Sequence, residues 1–134
     1  MNKTNPPSGS IPFVLAVDDD KITLRLIEAK LTKHNYVVKT VTSGEEALTI
    51  LGASTPAVLI LDVILPGISG YDLCRLVKQE KRLKDIPVIF LTASDSPKDY
   101  QTGRDLGAVI YMAKPIKPEQ MLHVVQMLFA PTSK

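Results

Sequence analysis

Four short, almost purely apolar runs, separated by longer stretches with helical spacing, constrain this chain more than any other feature. Phe13-Val14-Leu15-Ala16-Val17, Ala57-Val58-Leu59-Ile60-Leu61, Val88-Ile89-Phe90-Leu91 and Val109-Ile110-Tyr111-Met112 are continuous and rich in β-branched residues. A strand with one solvated face alternates apolar and polar residues. Strands without that alternation suit a parallel sheet covered on both faces. Tyr36 to Thr42 mixes the two kinds of residue and suits a strand nearer an edge.

The gaps carry helical signals. Ile22 to His34 places Leu24, Ile27 and Leu31 at helical spacing. Ser43-Gly44-Glu45-Glu46 reads as a capping box opening a helix that ends at Gly52. Ser69 to Lys81 offers Tyr71, Leu73, Leu76 and Val77 for packing, and Ser96-Pro97 can start a helix ending near Gly107. Pro118 opens the last, with Met121, Leu122, Val125 and Leu128 on one face. Five successive strand–helix repeats predict an α/β sheet with right-handed crossovers and helices on both faces.

At 134 residues the chain suits one domain, long enough to bury about two-thirds of its unfolded surface without a disulfide or metal staple. That domain is predicted to run from Ile11 to Phe129, between a flexible lead-in of residues 1–10 and a short tail of residues 130–134. Basic and acidic residues number 16 and 14, a net charge of +2, which gives no electrostatic case for bulk binding to nucleic acid or an anionic membrane. Apolar runs such as Phe13 to Val17 fall short of the roughly twenty residues of a spanning helix and of the seven or so of a signal sequence, so a cytoplasmic protein is expected. The single cysteine, Cys74, excludes an internal disulfide framework and a cysteine-based zinc site.

Binding sites of open α/β sheets form outside the carboxyl ends of the strands. Here the first run leads into Asp18-Asp19-Asp20, the third into Asp62, the fourth into Thr92 and the fifth into Lys114-Pro115. Each residue alone has a structural explanation: a helix cap for Asp20, a loop start for Asp62, a β-branched strand end for Thr92, a solvated charge for Lys114. Those explanations leave the coincidence of four strand ends unaccounted for. Clustered carboxylates repel and raise one another's pKa, which a bound cation relieves. Two or three of them offer hard oxygen ligands to Mg²⁺, and one can instead attack phosphorus to form an acyl phosphate. A lysine supplies a compact charge for a phosphoryl oxygen and a hydroxyl hydrogen-bonds another.

In this order and spacing, Val14-Leu15-Ala16-Val17-Asp18-Asp19-Asp20, Leu61-Asp62-Val63-Ile64-Leu65-Pro66-Gly67-Ile68-Ser69-Gly70, Phe90-Leu91-Thr92-Ala93 and Ala113-Lys114-Pro115 resemble the receiver domain of response regulators in two-component and phosphorelay signalling. The resemblance implies a flavodoxin-like (βα)5 doubly wound fold, with a five-stranded parallel sheet of order 2-1-3-4-5. It implies Asp62 as phosphoacceptor, with Mg²⁺ (or Mn²⁺) held by Asp18, Asp19, Asp62 and the main-chain carbonyl of Ile64. Lys114 would pair first with the acceptor carboxylate and then with the phosphoryl group, and Thr92 would follow that group by hydrogen bonding. Tyr111 matches the family's aromatic switch position, against its plainer reading as a strand aromatic packed for burial. The implied partners are a sensor histidine kinase or histidine phosphotransfer protein as donor and a downstream target protein, with homodimerisation on phosphorylation in many relatives. The responsive surface would include Ser96 to Leu106 and Tyr111. With the pattern spanning Ile11 to Phe129, a single-domain form acting through a partner is expected.

Departures from the family pattern avoid the acidic cluster. Leu65, Ser69 and Ile116 replace a frequent methionine, acidic residue and phenylalanine, Ile116 with altered packing on the output face. Ile64 and Ser94 occupy positions that tune phosphate lifetime in the family. Competing readings are weaker. Asp18-Asp19-Asp20-Lys21-Ile22 loosely matches the nucleophile loop of haloacid-dehalogenase-like phosphatases, but leaves Asp62 without a role and the chain without room for a cap insertion. A receiver-like interaction module that is never phosphorylated need not keep Asp62, Thr92 and Lys114. Acidic residues after the first strand would repel a flavin phosphate. Cys74 reads as packing, His34 and His123 lack ligand spacing, and Lys78, Lys81, Arg82 and Lys84 read as a solvated helix end.

Overall fold

The structure is a computed structural model and describes residues 11–93, 107 and 110–129. Within them, strands β1 (Phe13–Val17), β2 (Val37–Val41), β3 (Val58–Asp62), β4 (Val88–Thr92) and β5 (Ile110–Ala113) form one sheet. Its order is β2-β1-β3-β4-β5, and every neighbouring pair is parallel. The helices are α1 (Lys21–Lys33), α2 (Gly44–Leu51), α3 (Gly70–Gln79) and α4 (Pro118–Phe129). The helix expected over Ser96 to Gly107, the tails at 1–10 and 130–134, and Ser94 lie outside the described residues, apart from Gly107 itself.

The run character decides the sheet positions. All five residues of β1, β3 and β4 are buried, whereas β2, with Lys39 and Thr40 in its span, lies at an edge and stays partly exposed. Because successive side chains point to opposite faces, each central strand feeds two cores. Leu15, Val17, Leu59, Leu61 and Phe90 pack under α2 and α3 through Leu51, Leu73, Cys74 and Val77. Val14, Ala16, Ile60, Ile89 and Leu91 pack under α1 and α4 through Ile27, Leu31, Met121 and Val125.

Helix starts follow the capping signals. Asp20, Ser43 and Ser69 each accept a main-chain N–H from the first turn, from Ile22, Glu46 and Asp72 respectively. The capping box at Ser43 closes one residue early: Glu46 Oε1 accepts the main-chain N–H of Thr42 at 2.8 Å. At the far end of α1, Asn35 takes the left-handed conformation (φ 73°), and the N–H groups of His34, Asn35 and Tyr36 return to carbonyls of the last turn. Asparagine tolerates that geometry better than most residues.

The basic stretch expected as a solvated helix end is instead structural in two places. Helix α3 stops at Gln79, short of Lys81. The Lys78 ammonium donates to the carbonyls of Lys84 and Ile86, both at 2.9 Å. Arg82 donates to Thr55 Oγ1 at 2.7 Å and to the Leu51 carbonyl. Lys78 satisfies carbonyls where the chain turns from α3 into β4, and Arg82 one at the end of α2, uses that charge patterning does not reveal. Ile116, expected on the output face, is buried in the core under α1 and α4. Among the described residues, no helix is long and apolar enough to cross a membrane.

Candidate functional site

The carboxyl ends of β1, β3, β4 and β5 converge because main-chain bonds carry the parallel ladder past the last strand residues. Asp18 N–H donates to the Val41 carbonyl at 3.2 Å, Val63 N–H to Leu91 at 3.0 Å and Lys114 N–H to Thr92 at 2.9 Å. These bonds fix the backbone from which Asp18, Asp62, Thr92 and Lys114 project. Asp18 is fully buried, Asp62 is 6% exposed and Thr92 3% exposed, while Asp19 lies exposed at the rim.

Lys114 sits between the two buried carboxylates. Its ammonium lies 3.1 Å from Asp62 Oδ2, to which it donates a hydrogen bond, and 2.9 Å from Asp18 Oδ2. The contact to Asp18 is an ion pair without hydrogen-bond alignment, so this buried oxygen is left without a directed donor. Asp18 Oδ1 accepts the Asp20 N–H at 2.9 Å, and Asp62 Oδ1 accepts the Ile64 N–H at 3.2 Å. Burial pushes the Asp18 carboxyl above the usual carboxylate range, the Asp62 charge adding to it against the pull of the Asp20 N–H and Lys114. For Lys114, burial disfavours the charge, but its contacts with Asp18 and Asp62 outweigh that and raise its pKa.

Asp18, Asp19 and Asp62 each offer a carboxylate oxygen, and these oxygens all lie within 4.8 Å of one another. An all-oxygen, acidic donor set with one buried oxygen short of a hydrogen bond fits a hard divalent cation. Ile64 contributes its backbone beside the Asp62 carboxylate while its side chain is 75% exposed. Asp20 is not part of the cluster. Its carboxylate is committed to Ile22 N–H at 3.0 Å and Thr23 Oγ1 at 2.8 Å, and the Thr23 hydroxyl is the main cause holding its pKa low.

The family model for the response regulator receiver domain matches residues 14–126, almost the whole of the described fold. The chain belongs to the response regulator receiver family. Receiver domains act as signalling switches, and this one has the doubly wound sheet expected from its sequence. It is 40% identical over 108 residues to a probable transcriptional regulator, ycf27, of Cyanophora paradoxa, covering 81% of this chain and 44% of that one. It is 36% identical over 115 residues to the response regulator PleD of Caulobacter vibrioides, covering 86% of this chain and 25% of that one. The receiver thus spans less than half the length of these curated relatives. Among solved structures, a putative response regulator from Chloroflexus aurantiacus superposes with a TM-score of 0.82 at 37% identity, over 90% of this chain and 100% of that one. The chemotaxis response regulator CheY4 of Vibrio cholerae gives 0.83 at 31% identity, over 90% of this chain and 100% of that one.

Two residues beside this receiver's site make contacts that its sequence motifs do not reveal. Gly70, the first residue of α3, lies so close to β3 that a Cβ there would stand 2.0 Å from the Asp62 carbonyl oxygen. Its position after the Ser69 cap is the available signal, though only the packing shows why nothing larger fits. Tyr71, read only as a packing residue, exchanges a hydrogen bond with Tyr111 across 2.9 Å between the two hydroxyls. Both rings flank Phe90, at centroid separations of 5.0 and 5.4 Å.

Proposed function

We propose that this receiver is a phosphorylation-controlled switch in which Asp62 accepts a phosphoryl group from a phosphohistidine. The donor is a sensor histidine kinase or a histidine phosphotransfer protein, and the result is a changed surface read by a downstream protein. The observation that carries the reading is the single lysine charge shared by two buried aspartates, Asp18 and Asp62, at the carboxyl end of the sheet.

An Asp62 carboxylate oxygen attacks phosphorus in line as the P–N bond to the donor imidazole breaks. The electron pair of that bond leaves on the imidazole nitrogen, which is then protonated, and an acyl phosphate forms on Asp62. Lys114, already on Asp62 Oδ2, pairs with a phosphoryl oxygen as charge shifts outward. Thr92, at the end of the neighbouring strand, supplies a hydroxyl for another. Mg²⁺ held by Asp18, Asp19, Asp62 and the Ile64 carbonyl would offset the carboxylate charge that otherwise repels a phosphate. The new dianionic group then biases a two-state arrangement running from Thr92 to Tyr111.

The phosphatase reading leaves Asp62 without a role and draws on Asp20 in its nucleophile loop. The Asp20 carboxylate is instead the α1 cap, held by Ile22 and Thr23. Incubation with acetyl phosphate and Mg²⁺, followed by intact mass, tests the switch. The protein should take up one phosphoryl group and Asp62→Ala none. Equal labelling of Asp62→Ala would overturn the assignment.

A further inference from the structure

We propose that Glu45, in the first turn of α2, is a positioning residue for the cation site: its carboxylate closes the bend that follows Ile64 and so holds the main-chain carbonyl offered to the metal. The inference rests on the reading of Asp18, Asp19, Asp62 and the Ile64 carbonyl as the ligand set.

The chain between β3 and α3 is pinned at its base. Val63 N–H donates to the Leu91 carbonyl at 3.0 Å, and the Val63 carbonyl accepts the Gly70 N–H at 2.9 Å. Val63 and Leu65 are buried, and Ile64 between them is exposed. Beyond Leu65 the chain bends over Pro66, Gly67 and Ile68. Proline pre-sets φ at the first corner of a tight turn and glycine admits a positive φ at the second; Gly67 takes φ 72°. Such turns are often closed by a bond from the N–H of the fourth residue to the carbonyl of the first. Among the described residues, no main-chain bond closes this one.

The closing acceptor comes from another element. Ile68 N–H donates to Glu45 Oε2 at 3.3 Å, from 23 residues away in the chain. The same carboxylate lies over the bend, where a Cβ on Gly67 would stand 2.6 Å from Oε2 and 3.1 Å from Oε1. One residue before Glu45, a Cβ on Gly44 would stand 3.1 Å from Ile68 Cβ and 3.2 Å from the Ile68 carbonyl oxygen, so the main chain of α2 also rests on the bend. Both glutamates of this first turn suit the positive end of the helix dipole, but they are used differently. Glu46 folds back on Thr42, accepting its N–H at 2.8 Å and its hydroxyl at 3.0 Å. Glu45 reaches across to the β3–α3 connection.

Without the Glu45 acceptor, the peptide group between Gly67 and Ile68 can turn, because glycine populates both signs of φ. The bend passes that freedom to the Ile64 carbonyl at its other end. A metal that binds only the ordered arrangement loses apparent affinity in proportion to the fraction of molecules that keep it. One hydrogen bond biases such an equilibrium by about two- to twelvefold, and a bond at the surface falls near the low end.

The test is a Mg²⁺ titration of the whole chain, followed by the amide resonances of Asp62 and Ile64 in about 0.15 M salt, where distant surface charges are screened. Glu45→Ala removes the acceptor, and Glu45→Gln keeps an acceptor oxygen at the same reach without the charge. Both replacements are good helix formers at an exposed position, so both proteins should fold. Glu45→Ala should bind Mg²⁺ about two- to fourfold more weakly, and its Ile68 amide should exchange with solvent faster. Glu45→Gln should match the parent on both counts. Parent-like affinity in Glu45→Ala, or equal weakening in Glu45→Gln as a charge effect alone would give, would overturn the role of Glu45. Failure of the unsubstituted protein to bind Mg²⁺, or undiminished binding when Asp18→Asn and Asp62→Asn are combined, would instead overturn the ligand set and the role of Glu45 with it.

Discussion

Replacing Gly70 by alanine adds one methyl group, at the point where α3 meets the main chain of Asp62. The new Cβ would stand 2.0 Å from the Asp62 carbonyl oxygen and 2.9 Å from both the Asp62 carbonyl carbon and Val63 Cα. Non-bonded heavy atoms settle at about 3.5 Å, so roughly 1.5 Å of separation must be opened. Every atom in the way is backbone, and none can rotate aside. Strand β3 is paired on both sides, to β1 and β4, and Gly70 N–H is itself bonded to the Val63 carbonyl. Overpacking typically costs about 1–3 kcal/mol, and these constraints put Gly70→Ala near 3 kcal/mol. The displacement also has a direction, since opening the gap moves the Asp62 main chain and with it the carboxylate. A misplacement of about 1 Å at a reacting group can slow transfer about a hundredfold. Urea unfolding followed by circular dichroism gives the first quantity, and the rate of acetyl phosphate labelling under fully folded conditions gives the second. Gly52→Ala is the matched control: its Cβ would meet nothing closer than the Leu48 carbonyl at 3.4 Å, and its φ of −70° suits alanine. It should gain about 0.4–1 kcal/mol and label normally. A Gly70→Ala protein within about 0.5 kcal/mol of the parent and labelled at the parent rate would refute the steric argument.

Two further outcomes follow from the site and its surroundings. The pKa of Asp18 is raised in the folded protein, so the native state holds that proton more tightly than the unfolded chain does. Without Mg²⁺ the carboxylate's share of stability falls as pH rises from the ordinary value of 3.8 through the raised one. Asp18→Asn should therefore flatten the pH dependence of the urea midpoint in EDTA, raise that midpoint near neutrality, and lose most of the stabilisation that added Mg²⁺ provides; an unaltered Mg²⁺ response would remove Asp18 from the ligand set. Arg82→Ala should lower stability by about 1 kcal/mol through loss of the bonds to Thr55 and the Leu51 carbonyl. A change too small to detect in the same melts would return Arg82 to the solvated role its charge pattern suggests.

Much of this molecule was legible in the sequence because burial on two faces leaves a mark that needs no neighbours to read. Five apolar residues in a row at β1 and at 57–61 place those strands inside, and the mixed run at 36–42 places β2 at an edge. Caps were legible for the same local reason: Ser43 and Ser69 act on N–H groups three residues away. Asp18, Asp62, Thr92 and Lys114 were found as strand ends, since the end of an apolar run is itself a sequence feature. What escaped was contact between distant segments. Lys78 and Arg82 read as solvated cations because the carbonyls they satisfy belong to the turn into β4 and the end of α2.

The sequence by itself determined the element order, the two-sided burial of the central strands and the set of charged residues at their carboxyl ends. All three follow from side-chain chemistry repeated at short spacing. Only the tertiary structure decided which of three consecutive aspartates does what. Asp20 turns to α1, Asp19 stays at the rim, and Asp18 is driven into the interior with one oxygen short of a directed donor. It alone decided that Gly70 admits no side chain and that the Tyr71 hydroxyl meets that of Tyr111. Residues 62 and 70, or 71 and 111, come together only when the sheet and helices pack. The distances that then matter are tenths of an ångström, below anything that residue type and spacing can specify.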